Sequence, residues 1–310
     1  MYNSPIELYQ EKPYKLFIKR EDLLPKCFGG NKLRIAEEYI KDMYKECKDC
    51  MVAYGNPRSN LCRTLSMICY SLNIPCFILS PDEGNGERVE SFNKKLSLIS
   101  KANIISCDKN NVSFYVEKVL SDCRNKGYNP YYIYGDIFGK GNEGTPVEAY
   151  YQVYLNELDD FIKRESIGYI FLPVGTGMTI AGLIVARNSL CGNEKIVGIS
   201  IARERENARE SIDRYCKSFV ENKDLDIDYS NYTILDDYIM GGYGKYSNDL
   251  NRMILDIYCK HGLEMDPTYV GKGFYGMNDW LLNNNIRKEN VLFIHTGGTP
   301  LWFDFINSLD

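Results

Sequence analysis

Leu16-Phe17-Ile18-Lys19-Arg20-Glu21-Asp22, followed by Gly29-Gly30-Asn31-Lys32-Leu33-Arg34, reads as a strand, a glycine turn and the opening of a helix. A lysine placed as Lys32 is, at a glycine turn that opens a helix, is a candidate Schiff-base former. Taken alone, the hexapeptide describes a plain turn with a solvated lysine equally well. Three further segments follow an apolar run and precede a helical pattern: Gly55-Asn56-Pro57-Arg58-Ser59-Asn60, Val174-Gly175-Thr176-Gly177-Met178-Thr179 and His295-Thr296-Gly297-Gly298-Thr299-Pro300.

Outward from these turns, short apolar runs alternate with longer helical patterns. Met51–Tyr54, Cys76–Leu79, Ile104-Ile105, Tyr131–Ile133, Tyr169–Leu172, Ile196–Ile199 and Val291–Ile294 read as strands, and Asn60–Ser71, Val112–Lys126, Val147–Lys163 and Ser247–His261 as helices. This alternation predicts an α/β chain with parallel sheets covered by helices on both faces. Ligands then belong beyond the carboxyl ends of the strands. Ile167–Ala186 is free of charge and long enough to suggest a membrane span, but Pro173, Gly175, Thr176, Gly177 and Thr179 in its middle argue for a strand, a loop and a helix. Gly139-Lys140-Gly141-Asn142-Glu143-Gly144 reads either as a hinge or as a surface turn. No repeat or linker divides the chain.

The 310 residues, 44% hydrophobic and 25% charged, have the composition of a soluble globular protein with a substantial core. A net charge of −5 and the lack of any run of five basic residues exclude the footprint of a nucleic-acid binder. The start, Met1-Tyr2-Asn3-Ser4-Pro5, lacks the regions of a signal peptide, so a cytoplasmic protein with no membrane partner is expected. The eleven scattered cysteines then read as free, mostly buried thiols. Cys47-Lys48-Asp49-Cys50 is the one close pair, and with His261 and His295 the only histidines, no metal site is expected.

With Lys19-Arg20-Glu21-Asp22 and Asp266-Pro267-Thr268-Tyr269-Val270-Gly271-Lys272, the four turns resemble, from about Phe17 to Phe303, the D-cysteine desulfhydrase and 1-aminocyclopropane-1-carboxylate deaminase family of pyridoxal-phosphate enzymes. The resemblance implies the tryptophan-synthase-β-like architecture of fold type II. That is two parallel-sheet, three-layer domains, with a smaller one (47–150) inserted into a larger one (1–46 and 151–310) and an active site in the cleft between them. It also implies a homodimer and a small amino-acid substrate.

Site residues follow from the same resemblance. Lys32 is the Schiff-base lysine, which must be neutral to react although free lysine titrates near 10.4. Gly175, Thr176, Gly177, Met178 and Thr179 offer backbone N–H groups at a positive helix end to the cofactor phosphate. Asn60 resembles the asparagine at the cofactor's 3-oxygen. Ser59 resembles the active-site serine, a role compatible with capping the next helix. Backbone donors around Ser59, Asn60 and Leu61 suit a substrate carboxylate. Tyr243, in Gly241-Gly242-Tyr243-Gly244, and Tyr269 match the two tyrosines that face the substrate. Thr296 stands beside the pyridine nitrogen, while His295 reads as a buried structural histidine.

Two departures bear on substrate. The family's Gln-Ser-Asn-His is Arg58-Ser59-Asn60-Leu61 here, and Arg58 either binds a second anionic group or faces solvent. The deaminases' glutamate after the second tyrosine is Val270, which leaves a neutral hydroxyl and a milder electron sink, adequate when a β substituent departs. The leading expectation is a lyase of the D-cysteine desulfhydrase kind. Alternatives are a β-replacement synthase, a 1-aminocyclopropane-1-carboxylate deaminase and a noncatalytic cofactor-binding protein.

Overall fold

The computed structural model describes residues 2–81 and 90–309. Met1, Asp310 and the part of the expected inserted domain at 82–89 lie outside the described residues. In chain order the elements are β1 (Ile6–Gln10), β2 (Lys15–Arg20), α1 (Asn31–Lys45), β3 (Cys50–Tyr54), α2 (Asn60–Ser71), β4 (Cys76–Pro81), α3 (Phe92–Ile99), β5 (Asn103–Cys107), α4 (Val112–Asn125), β6 (Pro130–Tyr132), α5 (Val147–Val153), α6 (Asp159–Glu165), β7 (Ile167–Val174), α7 (Met178–Ser189), β8 (Lys195–Ser200), α8 (Arg205–Lys223), β9 (Thr233–Leu235), α9 (Asn248–His261), α10 (Val270–Asn283), β10 (Asn290–His295) and α11 (Thr299–Ile306).

The chain divides into two compact units, Met1–Asn31 with Val147–Asp310, and Lys32–Pro146. These limits differ from the expected 46/47 and 150/151, because α1 packs with the inserted unit. Asp42 on α1 accepts hydrogen bonds from Tyr131 Oη (2.6 Å) and Thr145 Oγ1 (3.0 Å), and the Tyr39 and Tyr131 rings lie 6.5 Å apart. An amphipathic helix pattern states that a face is buried, not which sheet buries it.

In the larger unit a sheet of six strands runs β1-β2-β10-β7-β8-β9, parallel except for the β1–β2 pair. Its central strands are apolar along their length because both faces are covered. Leu16, Ile18, Phe171, Val197, Ile199, Val291 and Phe293 pack on one face with residues of α9, α10 and α11, and α7 packs on the opposite side of β7 and β8. The antiparallel edge β1 was not anticipated: Ile6-Glu7-Leu8-Tyr9-Gln10 is short and partly exposed. The expected helix Val147–Lys163 is broken by a π turn at Tyr154–Leu158. That wider turn aims two polar groups inward, Tyr154 Oη toward Glu194 (2.5 Å) and Glu157 toward Lys19 (2.5 Å).

The inserted unit has a fully parallel sheet of four strands ordered β5-β4-β3-β6. Cys50, Val52, Phe77, Leu79 and Tyr132 form one core with Val116, Val119, Leu120 and Cys123 of α4. In each unit the strand order reverses once among the parallel strands, between β10 and β7 in the larger sheet and between β3 and β6 in the smaller. Such a reversal opens a crevice at the carboxyl ends of the flanking strands. The loop after β7 begins at Gly175 and the loop after β3 at Gly55. The Gly139–Gly144 region is a closed turn, with Asp136 Oδ1 accepting from the N–H groups of Phe138 and Lys140.

Candidate functional site

In the larger unit, Lys19, Arg20, Glu21 and Asp22 form a buried frame at the end of β2. Lys19 donates to the Ser4 carbonyl (2.8 Å) and to Glu157, while Glu21 accepts from Ser4 Oγ (2.7 Å) and Tyr150 Oη (2.8 Å). Asp22 takes a salt bridge from Arg20 (2.6 Å) and faces His295 Nδ1 (3.1 Å). His295 Nε2 lies 2.7 Å from the Glu264 carbonyl, and Nδ1 is also approached by the Gly297 N–H at 3.3 Å. Burial, the largest single influence, lowers the His295 pKa, but Asp22 and Glu264 together outweigh it and raise it. The Asp22 carboxyl, despite a desolvation that works the other way, is held well below the usual carboxylate range by His295 and Arg20. His295 is therefore a buried histidine that ties the end of β10 to Asp22 and Glu264.

This frame delivers the glycine turn. Gly29 has φ +61, and a Cβ there would overlap the Asp22 carbonyl. Asn31 then binds two neighbouring loops: its N–H donates to the Thr296 carbonyl (3.0 Å) and its Nδ2 to Thr179 Oγ1 (2.8 Å). Thr296 is buried, 7% exposed.

The loop after β7 opens α7. Gly177, at φ +99, caps the helix, and a Cβ on it would sit 2.9 Å from Ile212 Cγ1. The first bond of the helical ladder outside the turn runs from Ala181 N–H to the Gly177 carbonyl (3.0 Å), so the N–H groups of Met178, Thr179 and Ile180 precede it. Thr176 Oγ1 is buried with no hydrogen-bond partner among the described residues, although the Thr176 carbonyl is held by Ser211 (2.9 Å). A polar atom left so is costly unless a ligand completes it.

Tyr269 joins this loop. A Cβ on Gly175 would lie 3.1 Å from its Cε1, and its hydroxyl donates to Tyr243 Oη (3.1 Å), with the two rings edge to face. Asp266 anchors Tyr269 by accepting the N–H groups of Thr268, Tyr269 and Val270 (2.9, 2.8 and 3.2 Å). Burial pushes this carboxyl up to about 6 while those bonds pull it down. Tyr243 is anchored through Lys272, whose buried ammonium donates to the carbonyls of Ile201, Ile239 and Gly242 (2.8, 2.7 and 2.8 Å). Val270 is fully buried in the core with Leu250 and Ile254.

In the inserted unit, Lys32 is the first residue, half-buried in the first turn of α1. Desolvation lowers its amine to about 8. Ser59 caps α2, its Oγ accepting from Cys62 N–H (3.2 Å), and Asn56 shapes the preceding turn by accepting from Arg58 N–H (2.9 Å). Leu61 is buried, whereas Arg58 is partly exposed and its guanidinium forms no hydrogen bond or ion pair among the described residues. Among the described residues no hydrogen bond joins Lys32 to Arg58–Leu61.

Sequence reasoning missed the residues that hold these groups. Ser91 Oγ donates to the Pro57 carbonyl (2.6 Å), and Asn93 Nδ2 to the Arg58 carbonyl (2.8 Å) and Asn60 Oδ1 (2.9 Å). Their one local signal, Ser91 before an amphipathic stretch, reads as a helix cap, which it also is. Among the described residues no group of three or more His, Cys, Asp or Glu is placed to hold a metal, and no helix is long and apolar enough to cross a membrane.

Comparison with known proteins places this geometry in context. The family model described as pyridoxal-phosphate dependent enzyme matches residues 3–297. A D-cysteine desulfhydrase of Klebsiella pneumoniae (strain 342) is 25% identical over 296 residues, spanning 94% of this chain and 89% of that protein. A protein of Pyrococcus abyssi (strain GE5 / Orsay), named a putative 1-aminocyclopropane-1-carboxylate deaminase, is 26% identical over 313 residues, spanning 98% and 92%. Among solved structures, one described as an ACC deaminase homologue shares the fold with a TM-score of 0.84 at 24% identity, covering 100% of this chain and 93% of that one. A hydrogen sulfide-producing enzyme from Fusobacterium nucleatum shares it at 0.67 and 16% identity, covering 95% of each chain.

Proposed function

This chain belongs to the pyridoxal-phosphate dependent enzymes, and on that premise we propose that it is a lyase of the D-cysteine desulfhydrase kind. It takes a proton from Cα of a small amino acid and expels the β substituent, and one water hydrolyses the resulting unsaturated amine to a 2-oxo acid and ammonia. The bound cofactor supplies the electron sink for the pair left at Cα.

The observation that carries this reading is the Tyr269 ring against Gly175, with the Tyr243 hydroxyl 3.1 Å beyond. It sets two tyrosines beside a loop suited to a phosphate. The residues present fit the cofactor: the buried Thr176 Oγ1, without a hydrogen-bond partner among the described residues, and the N–H groups of Met178 and Thr179 ahead of the helical ladder suit a phosphate dianion. In the proposal Lys32 holds the cofactor, Gly175–Thr179 its phosphate, Asn60 its 3-oxygen and Thr296 its ring nitrogen. Lys32, once displaced by substrate, takes the Cα proton, its lowered pKa suiting a base near neutral pH. Ser59 and the start of α2, with Leu61, hold the α-carboxylate. Tyr243 and Tyr269 handle protons at the substrate. The protein works as a cytoplasmic homodimer, a state checked by sedimentation.

Replacement of the β substituent by a second nucleophile is the alternative, favoured by one observation: the Arg58 guanidinium is unpartnered among the described residues and available to a second anionic group. Cyclopropane ring opening is disfavoured, because the residue after Tyr269 is Val270, an apolar residue buried in the core, and it supplies no carboxylate to strengthen the sink. The test is 2-oxo acid release from D- and L-cysteine and other β-substituted amino acids, with and without thiol acceptors, beside 1-aminocyclopropane-1-carboxylate. Pyruvate and sulfide from D-cysteine, and no ring opening, are expected. A holoenzyme that releases no 2-oxo acid from any of them overturns the lyase reading.

A further inference from the structure

Asn93 stands in the first turn of α3, 1% exposed, and spends both protons of its side-chain amide on the loop after β3. One goes to the Arg58 carbonyl at 2.8 Å and the other to Asn60 Oδ1 at 2.9 Å. The orientation of an amide is set by its hydrogen-bond network, and here the network has a fixed end. A backbone carbonyl can only accept, so the Arg58 carbonyl requires the NH2 side of Asn93. That NH2 in turn requires the oxygen side of Asn60. The Nδ2 of Asn60 is left on the far side of its amide from Asn93, with no hydrogen bond among the described residues, on a residue that is only half-buried.

The arrangement carries a cost. Asn93 Oδ1 is buried and unpartnered among the described residues, which an amide placed only for stability would avoid. Nor is Asn93 needed merely to hold the loop, since Ser91 Oγ already ties the adjacent Pro57 carbonyl at 2.6 Å.

We propose that Asn93 is a positioning residue that sets the Asn60 amide so that its NH2, and not its oxygen, faces the bound cofactor. This rests on the reading that places Asn60 at the cofactor's 3-oxygen. An anionic oxygen there is stabilised by a donor and repelled by a carbonyl, so the two orientations of Asn60 differ in sign, not only in strength.

The experiment uses the full chain and pyridoxal phosphate. Cofactor affinity of the apo-protein and the pH midpoint of the bound cofactor's visible absorption are measured for the parent, Asn93→Asp, Asn60→Ala, the double variant and Ser91→Ala. Asn93→Asp is expected to weaken cofactor binding about tenfold, the size of one charge-assisted hydrogen bond, and to move the absorption midpoint upward. In the Asn60→Ala background the same change is expected to add little, and Ser91→Ala to leave the midpoint in place. An unmoved midpoint in Asn93→Asp, or an effect as large without Asn60 as with it, overturns the proposal. If Asn93→Asp fails to fold, Asn93→Ser, too short to reach both acceptors, decides by the same midpoint. Borohydride marking of Lys32 in each protein keeps the two readings apart. A Lys32 mark with unmoved midpoints sinks the Asn93 proposal alone, and a mark elsewhere sinks the site beneath it.

Discussion

The loop after β7 and the loop after β3 stand at equivalent places, each at the strand-order reversal of its own sheet, yet they are built on opposite principles. The first presents main chain. Its groups are N–H donors at the start of α7, and its shape is enforced by glycines that neighbours leave no room to replace. The second presents the side chains of Arg58, Ser59 and Asn60, and its shape is enforced by Ser91, which caps α3, and by Asn93 within α3. A main-chain site suits a ligand group that never changes, such as a phosphate, because substitution can hardly alter it. A side-chain site can be retuned one residue at a time.

The largest effect that would break this contrast belongs to the first loop. Gly177→Ala places a Cβ at φ +99, 2.9 Å from Ile212 Cγ1, so the turn must move and its N–H groups with it. Cofactor affinity is expected to fall about a hundredfold, the scale of two or more lost charge-assisted hydrogen bonds, measured by titrating the apo-protein. An unchanged affinity would mean that the phosphate is held elsewhere.

In the second loop the expected change is in preference. Arg58→Gln should shift the kcat/KM ratio between dianionic amino acids and D-cysteine by roughly ten- to a hundredfold toward D-cysteine, with cofactor affinity unaltered. A constant ratio would mean that Arg58 faces solvent.

A smaller effect sharpens the boundary between the units, where Lys32 begins the inserted one. Desolvation lowers its amine to about 8, and only the neutral amine reacts with an aldehyde. Cofactor uptake by the apo-protein should therefore accelerate as pH rises, with a midpoint near 8, followed by absorbance. A rise that continues to pH 10 would contradict the shift. Linkage gives the same sign for stability. With the folded pKa below the unfolded one, the unfolded chain holds more protons between about pH 8 and 10.5, and this lysine's contribution to apo-protein stability rises across that window.

The contrast between the loops also explains what could be read in the sequence. The charge-free stretch from Ile167 to Ala186 was legible as strand, loop and helix because glycine and a change of hydrophobic period are local signals. The parallel sheets were legible for the same reason. The π turn at Tyr154–Leu158 was not, since it serves Glu194 and Lys19, which meet it only in the fold. The unit limit before Lys32 differs from the expected 46/47, and α1 in the sequence shows an apolar face without naming its partner. Asn93 was invisible because it lies 33 residues from Asn60 and does its work through an amide orientation. Lys272 was quoted within its motif, yet its three carbonyl partners come from two distant loops.

That Lys32 carries the cofactor is tested most directly by borohydride reduction of the holoenzyme followed by peptide mapping. The pyridoxyl mark is expected on Lys32 and on no other lysine. A mark on Lys19 or Lys272, the fully buried lysines of the larger unit, or on any surface lysine in its place, would contradict the assignment.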